Sequence, residues 1–213
     1  MIKDLWKTVD KFASSIDSKF HENRKPITTP ISRFFILLHM NQSHVTAIRF
    51  IMMIAFLPLW IYEHYQLAAL LLAITILLDI VDGDLARILK TDSDLRKFED
   101  VMADNIVVVI IPLALICQGL ISGFLGAYYI FIVTLSWWLS AIKRNITTKS
   151  TGLFRAQASS FLFIIRFVVM PTLIFLYALF GVEVFSPTVI TLSIILTLNT
   201  AKNYYHIIRS RPS

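Results

Sequence analysis

Four aspartates with a spacing that suits metal-ion chemistry lie between two long apolar stretches of the chain. Asp79 and Asp82 are three residues apart and Asp100 and Asp104 are four apart, so each pair falls on one face of a helix. An antiparallel pair of helices would bring all four carboxylates to the same membrane depth. Neighbouring carboxylates repel one another, and a bound divalent cation reverses that repulsion. Oxygen ligands without a nearby Cys or His favour Mg²⁺, Mn²⁺ or Ca²⁺ over zinc.

Six apolar runs predict the helices that would position these aspartates. The chain is 56% hydrophobic with a mean hydropathy of +0.70, which excludes an ordinary soluble domain. Each run is close to the ~20 residues that a helix needs to cross a membrane. The runs cover residues 45–62, 66–83, 98–118, 124–142, 157–180 and 187–205. Because backbone polar groups within lipid must be satisfied internally, the predicted fold is all-α, an integral membrane six-helix bundle.

The distribution of charge predicts the orientation of these spans. If the N-terminus is cytoplasmic, the far-side loops at residues 63–64, 119–123 and 181–187 contain no Lys or Arg. The near-side loops carry Lys90, Arg96, Lys97, Lys143, Arg144, Lys149 and Arg155. This asymmetry predicts that both termini and the aspartates face the cytoplasm. The net charge of +6 then reflects topology and anionic lipid, and no nucleic-acid partner is needed to explain it.

The chain before the first span has two parts. Residues 2–20 place apolar side chains at helical spacing with lysines elsewhere around the helix, which predicts an interfacial amphipathic helix on the inner leaflet. After it, Pro26 and Pro30 are predicted to break the helix and redirect the chain. The predicted organisation is one domain over residues 1–213, with the interfacial helix and entry segment in 1–44 and the six spans in 45–208.

The aspartates belong to a longer pattern, made of Asp79, Asp82-Gly83, Ala86-Arg87, Asp100 and Asp104. This pattern resembles the signature of the CDP-alcohol phosphatidyltransferases, integral-membrane enzymes that make phospholipid headgroups. One position departs from it, because Arg96 stands where the family carries its second glycine. Around the start of the first span, in residues 26–50, Thr46 and Arg49 also fit the family, whereas Gln42 and Ser43 stand where a Pro-Asn pair is expected.

The resemblance implies transfer of a phosphatidyl group from CDP-diacylglycerol to a small polar alcohol, with release of CMP. It also implies two Mg²⁺ or Mn²⁺ ions, held by Asp79, Asp82, Asp100 and Asp104. Asp104 is in addition the candidate base for the acceptor hydroxyl. The residues expected to line the substrate sites are Thr46, Gly83, Ala86, Arg87, Arg96, Lys143, Arg166 and Lys202. The partners implied are these two substrates, membrane lipid and a second copy of the chain in a homodimer.

Three cations in the second half of the chain predict the chemistry of the acceptor. Arg166 lies within the fifth apolar run, and an intramembrane arginine normally faces a cavity or a carboxylate. It is expected either to pair with one of the aspartates or to bind a phosphate on the acceptor. Lys143 and Lys202 end spans that open on the same side as the aspartates. Together the three cations favour a phosphorylated polyol, inositol phosphate or glycerol phosphate.

Two functions of other classes stay open on the sequence. A small cation transporter could use buried acids and Arg166, although the inverted repeats and broken midplane helices of such transporters are absent. A non-catalytic relative, marked by Arg96, could bind lipid or nucleotide without turning it over. Metal-dependent release of CMP separates the enzyme from both.

A cysteine introduced at Ser122, in a Cys117→Ala background, tests the predicted orientation. Ser122 lies in a far-side loop, so we expect an impermeant thiol reagent to label it in intact cells. Labelling that occurs only after lysis would invert the orientation and place the aspartates outside.

Overall fold

The computed structural model describes residues 25–89, 94–148, 162 and 164–209. These residues form α-helices joined by short turns, with one π-helical turn and no strand among them. The α-helices are α1 Lys25–Leu37, α2 Gln42–Ile61, α3 Tyr65–Leu89, α4 Asp94–Cys117, α5 Gly123–Thr148, α6 Met170–Phe180 and α7 Phe185–Arg209. The all-α prediction is confirmed, and the interfacial helix predicted at residues 2–20 lies outside the described residues.

Three helices within the described residues are long and apolar enough to cross a membrane. They lie at Gln42–Ile61, Tyr65–Ala86 and Gly123–Ser140. The apolar helical stretches Met102–Cys117 and Met170–Phe180 are shorter. Length and composition therefore support three spans, and the six-span count stays a prediction.

Aromatic side chains anchor the hydrophobic core at the helix ends away from the aspartates. Trp60, fully buried near the end of α2, stacks on Phe56 with ring centroids 5.6 Å apart. Tyr65 at the start of α3 and Tyr177 in α6 lie 5.0 and 5.6 Å from the Trp60 ring. Phe185, the first residue of α7, lies 5.4 Å from Tyr177. Aromatic pairs contribute ~0.5–1.5 kcal/mol each beyond their buried area, so this cluster fixes four helices together.

A ladder of polar side chains joins α5 to α7 toward the opposite end. Asn199 Nδ2 donates to Ser136 Oγ at 3.2 Å, and one turn further along Asn203 Nδ2 donates to Ser140 Oγ at 3.2 Å. Lys143 Nζ then donates to Asn203 Oδ1 at 3.1 Å. Interhelical hydrogen bonds in membrane proteins average about 0.6 kcal/mol. Their repeated spacing here fixes the register of α7 against α5.

The structure corrects two local predictions. Pro30 does not break a helix, because it lies inside α1 near its start, where it removes only one intrahelical hydrogen bond. Arg96 and Lys97 do not lie in a loop, because α4 begins at Asp94 and includes them in its first turn. A helix can extend beyond lipid into water, where charged side chains are hydrated, so the apolar run underestimates its length.

The fifth apolar run contains a π-helical turn at Ile165–Val169. The N–H of Met170 donates to the carbonyl of Ile165, five residues earlier. Pro171 follows and has no N–H, so the regular α-helical hydrogen bond is not available at that residue. The backbone of Arg166 therefore lies in a widened turn directly before α6.

Candidate active site

Three of the predicted aspartates surround the guanidinium of Arg49, a residue of α2. Arg49 Nη2 donates to Asp104 Oδ1 at 3.1 Å. The same nitrogen contacts Asp79 Oδ1, and Nη1 contacts Asp82 Oδ2. Asp79 and Asp82 come from α3 and Asp104 comes from α4, so one side chain joins three helices.

Helical periodicity explains how these side chains meet. Asp79 and Asp82, three residues apart, share one face of α3, as their spacing predicts. On the sequence, an antiparallel pair formed by α3 and α4 would bring the acids together. In the structure α2 packs against both α3 and α4, so the aspartates meet around a side chain of α2.

The cluster is buried on one side and accessible on the other. The side chain of Asp82 is 3% exposed, whereas those of Asp79 and Asp104 are 15% and 21% exposed. Thr46, one turn before Arg49 on α2, donates its hydroxyl to the Gln42 carbonyl at 3.2 Å and lies 3.4 Å from Asp82 Oδ2. Solvent therefore reaches the cluster from the side of Asp79 and Asp104.

The charges of this cluster favour a cation. Two carboxylates ~4 Å apart repel by about 4 kcal/mol at an effective dielectric of 20. Charges taken out of water are tolerated only when they are paired and hydrogen-bonded. Arg49, with 2% of its side chain exposed, provides such pairing to three carboxylates. Within these four side chains negative charge still exceeds positive charge.

The donor set fits a hard divalent cation. Three carboxylates from two helices are directed at one cationic group, and Mg²⁺ and Mn²⁺ prefer such oxygen ligands. Among the side chains that the structure describes, no three of His, Cys, Asp or Glu close on one point as metal ligands do. A guanidinium distributes its partners over separate N–H groups, which spaces the carboxylates more widely than a metal ion would. Asp79, Asp82 and Asp104 would hold the ion, with Asp100 one turn before Asp104 on α4.

The space beside α3 suits the residues expected at the nucleotide. A methyl group added at Gly83 would meet no atom of the described residues within 4 Å, so this part of the structure leaves the helix surface open. Ala86, one turn further along, is half-buried. For Arg87, Arg96, Asp100 and Arg166 the backbone is helical and the side chains lie outside the described part of the structure.

The two predicted lysines lie on another pair of helices. Lys143 is half-buried near the end of α5, and Lys202 is exposed near the end of α7. The hydrogen bond from Lys143 to Asn203 brings these two helix ends together. The structure thus brings Thr46 to Asp79, Asp82 and Asp104, and it places both lysines on the α5–α7 pair.

Arg49 is the principal residue to which the sequence interpretation gives no role at the site. It fits the family pattern around the start of the first span, but its partners come from segments 30, 33 and 55 residues away. A signal does exist, since Gln42, Thr46 and Arg49 are spaced to form a polar stripe on one face of α2. Such a stripe within a span indicates a polar partner on a neighbouring helix.

Two further contacts near the site were not foreseen from the sequence. Thr28 Oγ1 donates to Asp84 Oδ2, which joins α1 to α3, and Asp84 is 7% exposed. Asp84 follows Asp82 by two positions, with Gly83 between them, so the two side chains point to different sides of α3. Ser43 Oγ donates to Glu99 Oε2 at 2.7 Å and joins the starts of α2 and α4. These contacts support the helices that carry the aspartates.

The fold and the site define a helical membrane protein with a carboxylate cluster directed at a cation. Residues 41–200, well over half of the chain, match the family model for CDP-alcohol phosphatidyltransferase. The chain therefore belongs to the CDP-alcohol phosphatidyltransferase family, a class of enzymes that transfer a phosphatidyl group in phospholipid biosynthesis and generally depend on a divalent metal. Comparison with curated proteins and with solved structures gives no match.

Substitution of Asp84 tests whether this acid supports the fold or belongs to the site. In Asp84→Asn a neutral amide replaces a charged partner of Thr28. We therefore expect the melting temperature to fall, with a loss of ~1 kcal/mol in the free energy of unfolding. Phosphatidyl transfer should stay within about threefold of the wild-type rate, a change of less than ~1 kcal/mol in the barrier. Asp82→Asn, the matched change two residues away, should abolish transfer. Equal loss of transfer in both variants would place Asp84 in the site.

Proposed function

We propose that this protein transfers a phosphatidyl group from CDP-diacylglycerol to a phosphorylated polyol, inositol phosphate or glycerol phosphate, and releases CMP. The observation that carries the proposal is the convergence of Asp79, Asp82 and Asp104 on one cationic group in a member of this family. The acyl chains of the donor stay in lipid while its pyrophosphate meets the carboxylate cluster. Asp79 and Asp82 lie near one end of Tyr65–Ala86, a helix long and apolar enough to cross a membrane, which supports that arrangement.

Bond changes in this reaction assign a role to Asp104. The acceptor oxygen forms a bond to the phosphorus of the phosphatidyl group, and the bond from that phosphorus to CMP breaks. The proton of the acceptor hydroxyl needs a base within hydrogen-bond reach. Asp104 is the most exposed of the three described carboxylates, which suits contact with an incoming acceptor. The proposal therefore makes Asp104 both a metal ligand and the base.

Asp79, Asp82, Asp100 and Asp104 would hold two Mg²⁺ or Mn²⁺ ions. When bound, these ions would neutralise the pyrophosphate and stabilise the leaving CMP. The open surface at Gly83 gives the nucleotide room to approach α3, and Arg87 follows on the same helix. Arg96 replaces the second glycine of the family pattern, and we expect its side chain to contact the phosphate or base of the donor.

Acceptor binding is assigned to Lys143, Arg166 and Lys202. The Lys143–Asn203 hydrogen bond holds one of these cations at the joined ends of α5 and α7, next to Lys202. A guanidinium offers a two-pronged set of donors to a phosphate, whereas an ammonium is a point charge. Such a group of cations would repel choline or ethanolamine. We further propose six spans, cytoplasmic termini and a homodimer.

Removal of the carboxylates tests the metal dependence directly. Asp79→Asn and Asp100→Asn each delete a charged ligand, so we expect CMP release to fall by about 100-fold or more, or several kcal/mol in the barrier. Glu63→Gln, which changes an exposed acid in the turn after α2, is the matched control and should leave the rate unchanged. Full turnover of wild-type protein in EDTA would end the metal-site proposal.

Substitution of Arg166 tests the identity of the acceptor. A charge-assisted hydrogen bond contributes ~1.5–3 kcal/mol, so Arg166→Gln should raise the KM for the acceptor about tenfold or more and leave the KM for CDP-diacylglycerol nearly unchanged. Arg209→Gln, at the exposed end of α7, serves as the control. Efficient transfer to an unphosphorylated amino alcohol, with no response to Arg166→Gln, would contradict the assignment.

A further inference from the structure

We propose that Arg49 competes with the divalent metal for the motif carboxylates. The guanidinium contacts Asp79, Asp82 and Asp104, and a metal ion held by the same acids would require it to give up part of that contact. This inference rests on the proposed function, because it concerns the same carboxylates.

The contacts of Arg49 are those of an internal counter-ion. Its two terminal nitrogens reach carboxylates on two different helices, and its side chain is 2% exposed. Buried charges persist in folded proteins when their partners are supplied by the fold. Removing the guanidinium would take one charged partner away from three carboxylates, one of which, Asp82, is almost fully buried. Arg49 therefore stabilises the junction of α2, α3 and α4 when no metal is present.

The same contacts oppose metal binding. A divalent ion needs carboxylate oxygens at ~2.0–2.1 Å for Mg²⁺, and the guanidinium hydrogen-bonds one oxygen from each of the three acids. An ion coordinated by those acids would also lie close to a fixed positive charge, and the two would repel. The carboxylates spaced by the guanidinium must move toward the ion as it binds. Arg49 thus lowers the affinity for metal while it raises the stability of the metal-free state.

Titration of purified full-length protein with Mn²⁺ after treatment with EDTA tests this competition. Mn²⁺ affinity is measured by electron paramagnetic resonance, and melting temperature is recorded with and without saturating Mn²⁺. Arg49→Gln removes the charge, and Arg49→Lys keeps a charge that cannot bridge three carboxylates. Arg33→Gln, an exposed arginine on α1, is the matched control. None of these measurements depends on turnover.

For Arg49→Gln we expect a lower melting temperature than wild type in the absence of metal, and a larger increase in melting temperature when Mn²⁺ is added. We also expect its Kd for Mn²⁺ to be at least about tenfold lower than that of wild type. Arg49→Lys should fall between Arg49→Gln and wild type in all three, and Arg33→Gln should match wild type. If Arg49→Gln does not fold, Arg49→Lys provides the test, and a Kd for Mn²⁺ below that of wild type supports the competition.

If the Kd for Mn²⁺ of the Arg49 variants is equal to or higher than that of wild type, the proposed competition is wrong, while the proposed function still stands. Absence of Mn²⁺ binding in wild type and variants alike would overturn both.

Discussion

A buried arginine surrounded by carboxylates is the interaction on which the rest of this structure depends. Isolated charges near the end of a membrane span are costly, so the acids on α3 and α4 and the arginine on α2 need one another. Arg49 reaches Asp79, Asp82 and Asp104, and in doing so fixes three helices at one end of the bundle. The chemistry proposed for this protein uses the same acids. The same charged side chains therefore stabilise the fold and carry the proposed chemistry.

The remaining contacts hold the helices so that this cluster can form. Aromatic rings around Trp60 join α2, α3, α6 and α7 at the far end. Ser43 joins the start of α2 to Glu99 on α4, and Thr28 joins α1 to Asp84 on α3. The ladder between α5 and α7 sets the ends that carry the two lysines. Apolar packing thus dominates at one end of the bundle and polar pairing at the other.

Much of the fold follows from local patterns in the sequence. Apolar runs predict the helices, and the three-residue spacing of Asp79 and Asp82 predicts their common face, because both depend on neighbours along one helix. Arg49 is different, since its role depends on residues 30 to 55 positions away and no local pattern records that distance. A proline pattern does not show that α1 tolerates Pro30 at the loss of one hydrogen bond. Apolar patterning does not locate the start of α4, because it describes the lipid-facing part of a helix and not its hydrated end. The π-helical turn before Pro171 has no periodic signal of its own.

Release of CMP from CDP-diacylglycerol by the purified protein tests the central claim most directly. The measurement uses radiolabelled donor and Mn²⁺ or Mg²⁺, with a panel of inositol phosphate, glycerol phosphate, serine and an amino alcohol as acceptors. The account predicts CMP formation together with a new phospholipid when a phosphorylated polyol is supplied, and neither product when the acceptor is left out. If the protein binds CDP-diacylglycerol but releases no CMP with any of the acceptors, the account is contradicted and the chain is a non-catalytic relative.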